Sequence, residues 1–128
     1  RIDHVTLRTA DLDGTRRYLE TLLGLQAGSR PDFPFPGYWL YRDGEPVVHL
    51  IPGGGRPVGG EAEMIDHVGF RLDDEADVRA KLDRLALRYS TMELPELGER
   101  RLFVRTPGGI LLELVFRLGA PGSGPARA

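Results

Sequence analysis

Seven residues near the middle of the chain, Ile65–Arg71 (IDHVGFR), nearly copy the seven at Ile2–Arg8 (IDHVTLR), 63 positions earlier. A fixed offset of this kind is the mark of duplicated structural units, so the chain must fold as two similar modules of about 60 residues. The register runs on through Arg16 and Arg79, Leu19 and Leu82, and Leu22 and Leu85. After one inserted residue Gly44 meets Gly108, Val47 meets Leu111, His49 meets Glu113 and Leu50 meets Leu114.

Each module reads as β-α-β-β-β. Ile2–Arg8 alternates with period two, which places His4, Thr6 and Arg8 on one face of a strand. Asp11 or Thr9 can cap a helix over Asp11–Leu23, with Tyr18, Leu19, Leu22 and Leu23 on one stripe and Gly24 as its stop. Leu25–Arg30 is a short strand, and Pro31–Gly37 (PDFPFPG) is a loop because its prolines lack ladder donors. Tyr38–Arg42 and Pro46–Ile51 flank Asp43-Gly44, a strong hairpin signal. The second module repeats the order: a strand at Met64–Leu72, a helix at Asp73–Ala86 with Val78, Leu82 and Leu85 inward, a strand at Leu87–Met92, and a hairpin of Arg100–Arg105 with Ile110–Phe116. The predicted organisation is therefore a first module over 1–52, a glycine-rich linker over 53–62, a second module over 63–117 and a disordered tail over 118–128.

Composition narrows the function classes. Cysteine is absent, so neither a disulfide nor a thiolate metal site can form and nothing points to an oxidising compartment; a cytoplasmic location is expected. The net charge of −2 comes from interspersed acids and arginines, which is not the footprint of a nucleic-acid binder. No apolar run approaches the ~20 residues of a membrane span. The opening at Arg1, polar and without Met, predicts no leader and a short missing N-terminal piece.

All three histidines lie in strand interiors at repeat-related positions: His4 and His67 in the first strands, His49 matched to Glu113 in the last. If the modules pack with pseudo-twofold symmetry, these four side chains surround one point. Glu113 is the most telling of them, because a carboxylate within ILLELVF must be paired or bound to a cation. Histidine and carboxylate ligands suit one divalent ion of Fe, Ni, Zn, Mn or Co. Arg8 and Arg71 stand four residues beyond His4 and His67, about 13 Å along each strand, and are candidates to bind substrate at the cavity mouth.

With IDHV at both module starts and PGGILLEL near the end, residues 1 to 117 resemble the vicinal oxygen chelate superfamily, which includes glyoxalase I, methylmalonyl-CoA epimerase, extradiol dioxygenases, and fosfomycin- and bleomycin-resistance proteins. The resemblance implies an α+β fold in which two tandem β-α-β-β-β modules form a cupped mixed sheet with the helices outside. It also implies that His4, His49, His67 and Glu113 match the four metal-ligand sites of the glyoxalase and epimerase branch. The expected function is a metal-dependent enzyme acting on a small bidentate oxygen substrate by enolate stabilisation, of isomerase, lyase or epimerase type, with Glu113 as ligand and base and a homodimeric assembly. His49 is the departure, since those relatives generally carry Glu or Gln there. The set His4, His67 and Glu113 also matches the triad of extradiol ring-cleaving dioxygenases, and a non-catalytic binder of a drug or metabolite is the alternative from a different class.

Overall fold

The computed structural model describes residues 1–53, 64–107 and 109–119. The linker expected over 53–62 and the disordered tail expected over 118–128 lie outside these residues, apart from Gly53, Leu118 and Gly119. The fold is α+β: strands β1 (Ile2–Thr9), β2 (Gln26–Gly28), β3 (Tyr38–Arg42), β4 (Glu45–Pro52), β5 (Met64–Arg71), β6 (Tyr89–Leu94), β7 (Glu99–Arg105) and β8 (Leu111–Arg117), with helices α1 (Leu12–Leu23) and α2 (Glu75–Arg84). Among the described residues no helix is long and apolar enough to cross a membrane.

Two compact units result, and their borders cut through β1 and β5. One comprises His4–Val68, and the other joins Arg1–Asp3 to the chain from Gly69 onward. His67, from the second sequence repeat, thereby belongs to the same unit as His4 and His49.

In the His4–Val68 unit β2 and β4 flank β3 antiparallel, and β1 lies parallel to β4 with Thr6 opposite His49. The β3–β4 turn places Asp43 and Gly44 at φ 52° and 78°, the left-handed pair that a tight hairpin requires. Asp11 caps α1 by accepting from the Gly14 amide, and Gly24, at φ 70°, closes it. The core on the helix side is Leu25, Leu40, Val48 and Leu50, with Val5, Leu7, Leu12 and Leu19 packed against it. The opposite faces of β1, β3 and β4 are left to carry His4, Thr6, Trp39 and His49.

One expectation needs correction here. Tyr18 and Leu22 are 63% and 61% exposed, and Leu23 is exposed too, so of the helix's apolar residues it is Leu12 and Leu19 that pack on the core. The helix meets its sheet along a narrower line than its apolar stripe predicts.

In the second unit β7 lies antiparallel between β6 and β8, with the end of β5 beside β8. Leu82, Leu102, Val104, Leu114 and Phe116 form its core, joined by Phe70, Leu72 and Val78. Asp74 caps α2 by accepting from the Asp77 amide. Leu85, expected inward, lies past the helix end and is exposed, because the chain turns away through Ala86 at φ 56°.

Candidate metal centre

β1 and β4 hold alternate side chains away from the helix-side core, and on that free face three imidazoles and one indole gather within a single unit. His4 stacks on His49 with ring centroids 3.9 Å apart and planes 13° from parallel. His49 stacks in turn on Trp39, its ladder partner, again at 3.9 Å. His67 meets His4 edge-on at 5.6 Å. His4 and His49 are buried. The candidate ligand nitrogens of His4 and His67 lie within 4.8 Å of each other.

The hydrogen bonds set the proton positions. Nδ1 of His67 lies 2.8 Å from Asp66 Oδ2, and a carboxylate can only accept, so Nδ1 carries the proton. In the neutral ring Nε2 then bears the lone pair and accepts from the Thr6 hydroxyl at 3.0 Å. Asp66 is itself held by Arg8, whose Nε and Nη2 donate to Oδ1 at 3.1 and 2.7 Å while Nη1 donates to the Pro52 carbonyl. Burial pushes the Asp66 carboxyl upward, but the hydrogen bonds from His67 and Arg8 and the Arg8 charge outweigh it and hold the pKa below its usual value. A carboxylate fixing the far nitrogen of an imidazole is the arrangement that orients metal-binding histidines. Nε2 of His49 lies 3.1 Å from the Pro46 carbonyl and so donates there.

Glu113 sits in the other unit, on the face of β8 turned from the α2 core, and is buried. Its Oε2 accepts from Arg101 Nη1 at 2.9 Å. Arg101 also donates through Nε and Nη2 to Glu99 Oε1, at 3.1 and 2.5 Å. Burial opposes the Arg101 charge, but Glu113 and Glu99 outweigh it and raise its pKa. In the same unit Arg71 donates to Asp3 Oδ1 through Nε and Nη2, at 2.9 and 2.7 Å.

Of the residues singled out from sequence, His4, His49 and His67 are thus brought together, and Glu113 is buried among charged partners. The guanidiniums of Arg8 and Arg71, expected at a cavity mouth, each lie on an aspartate. Sequence reasoning places Thr6 on the His4 face without a role, and does not assign Trp39, Asp66, Glu99 or Arg101 to the site. The period-two rule would have found Glu99 and Arg101, which share a face of β7 with Phe103, the ladder partner of Glu113.

Residues 1–114 match the family model of the Glyoxalase/Bleomycin resistance protein/Dioxygenase superfamily. No curated protein matches the chain. Among solved structures, methylmalonyl-CoA epimerase from Mycobacterium tuberculosis is similar at 20% identity and TM-score 0.66, over 99% of this chain and 91% of that one. The 2,3-dioxygenase LapB from Pseudomonas sp. KL28 is similar at 23% identity and TM-score 0.72, over 97% of this chain and 43% of that one. The Mn(II)-bound glyoxalase from Novosphingobium aromaticivorans follows at 16% identity and TM-score 0.70, over 92% and 38%. The chain spans less than half the length of the last two.

Proposed function

The chain belongs to the glyoxalase/bleomycin resistance protein/dioxygenase superfamily, and on that footing we propose that it is a metal-dependent enzyme acting on a small substrate with two adjacent oxygens. His4, His67 and Glu113 would hold one divalent ion. His49, whose Nε2 donates to the Pro46 carbonyl, could offer that ion only Nδ1. The observation that carries the reading is the Asp66–His67 pair, which fixes the imidazole with its lone pair on Nε2, together with the His4 and His67 nitrogens lying within 4.8 Å. When bound, the ion supplies Lewis acidity that polarises the substrate oxygens and stabilises an enolate.

The protein's own residues do the rest. Two neutral histidines and one carboxylate leave a divalent ion with residual positive charge, which favours an anionic or readily ionised bidentate substrate such as a 2-oxo acid, a hydroxy-carbonyl compound or a catechol. Glu113 doubles as the carboxylate able to take a proton from substrate carbon. Stacking of His4 on His49 and of His49 on Trp39 restrains the His4 ring.

A second reading, ring cleavage of a catechol by an extradiol-type dioxygenase, is favoured by one observation. His49 is not among the residues whose ligand atoms gather within 4.8 Å, and with it set aside two histidines and one carboxylate remain, the set that leaves coordination positions for substrate and oxygen.

Metal analysis of the chain purified without chelator tests both. The parent and His49→Ala are expected to retain a divalent ion, and His4→Ala, His67→Ala and Glu113→Ala to lose it. A parent that takes up no metal overturns the proposal in favour of a non-catalytic binder. Turnover of α-oxo aldehydes or acyl-CoA epimers supports the first reading, and oxygen uptake with catechols under ferrous loading supports the second.

A further inference from the structure

Arg101 is a buried cation on the sheet face that also carries Glu113, with Glu99 buried beside it. Burying three charged side chains is a poor way to stabilise a sheet, since apolar residues of similar volume commonly serve as well or better. The geometry of the three is also unequal. Glu99 accepts from Nε and Nη2 of Arg101 on a single oxygen, and Nη1 donates to Glu113 Oε2. Arg117 Nε stands 4.0 Å from the other Glu99 oxygen, close enough for its charge to be felt there. The guanidinium is planar and rigid, so fixing one edge of it on Glu99 fixes where Nη1 points.

We propose that Arg101 is a positioning residue for Glu113, and that Glu99 orients Arg101 for the task. By holding Oε2, Arg101 fixes the rotation of the Glu113 carboxylate and with it the direction in which its oxygens point. The inference rests on the reading of Glu113 as the anionic metal ligand. It adds that the direction of this ligand is set by a two-residue support on β7. A lysine at position 101 would keep the positive charge but could not grip Glu99 with two N–H groups and still present a third to Glu113 at a fixed angle.

Cobalt(II) added to the chelator-stripped full chain tests this, with affinity and visible absorption bands as readouts besides activity. Arg101→Lys is expected to lower cobalt affinity about 10–100-fold, the usual cost of losing an outer support, and to shift the bands. Glu99→Gln should act in the same direction and more weakly. Arg100→Lys, which alters a guanidinium bound to Glu75 and Glu93, should leave both readouts at parent values. If Arg101→Lys does not fold, Glu99→Gln decides. Parent affinity and parent bands in Arg101→Lys and Glu99→Gln would overturn the inference and leave the metal reading standing, as would a loss of affinity that tracks the melting temperature with unchanged bands. A parent that takes up no cobalt would overturn the metal reading and this inference with it.

Discussion

The imidazole of His49 lies flat on the indole of Trp39, with ring centroids 3.9 Å apart and planes 7° from parallel. Trp39 is the chain's single tryptophan, so the emission of the whole protein reports on this stack and on His4 behind it. Cobalt(II) bound at His4 is expected to quench that emission saturably. Trp39→Phe should abolish the signal while cobalt uptake continues. Saturable uptake without quenching would put the ion away from these rings.

Asp66→Asn removes the carboxylate that fixes the His67 tautomer. Metal affinity should fall about 10–100-fold. The far-ultraviolet dichroism should stay that of the parent, since Asp66 lies outside the two hydrophobic clusters. Calorimetric titration with zinc compares the two proteins, and equal affinities would remove Asp66 from the site.

Glu75 ties the start of α2 to two arginines, accepting from Arg79 Nε and Arg100 Nη1, each at 2.8 Å. Burial pushes its carboxyl upward, but those hydrogen bonds and the arginine charges outweigh it and hold the pKa below the ordinary 4.5. A lowered folded-state pKa means that the contribution is fully present above the ordinary value and is lost as pH falls through the folded one. Glu75→Gln should therefore melt below the parent at pH 7, and the gap should close under acid. A gap that stays constant with pH would show that the ionised carboxylate contributes nothing.

Leu102 is fully buried in the α2-side core, whereas Leu22 is 61% exposed on α1. Leu102→Ala should cost about 2–5 kcal/mol by leaving a cavity. Leu22→Ala should stay within about 0.5 kcal/mol. Urea titration measures both, and a large loss in Leu22→Ala would restore it to the packed stripe of the helix.

The fold was largely legible because its signals are local. Period two along Ile2–Arg8, the Asp-Gly turn at 43–44 and the aspartate caps each act within a few residues, and the repeat offset multiplied them by two. The outward turn of Tyr18 and Leu22 was not legible, since β2 is only three residues long and offers α1 little to cover. At the site, alternation alone put His4, Thr6 and Arg8 on one face, but the side of Trp39 depended on a register shift between Leu40 and Tyr41 that no sequence rule marks. The pairing of Arg101 with Glu113, and of Arg8 with Asp66, depends on which strands become neighbours. Spacing along the chain does not carry that information.

The two aspartate–arginine pairs have a bearing on ancestry. Asp3 and Asp66 occupy one repeat position, Arg8 and Arg71 another, and the bonds run crosswise, Arg8 to Asp66 and Arg71 to Asp3. Within one copy the aspartate and arginine are five residues apart on a single extended strand, roughly 16 Å, too far to meet. A half-length forebear could have made this ion pair only with a second copy of itself, and would have made it twice. Fusion of two such halves would turn that contact between molecules into one within a molecule, and would free its two copies to diverge. Exchanging Asp3 and Arg71 for one another would leave the Arg8–Asp66 copy untouched, a freedom that the forebear, with one gene for both, did not have.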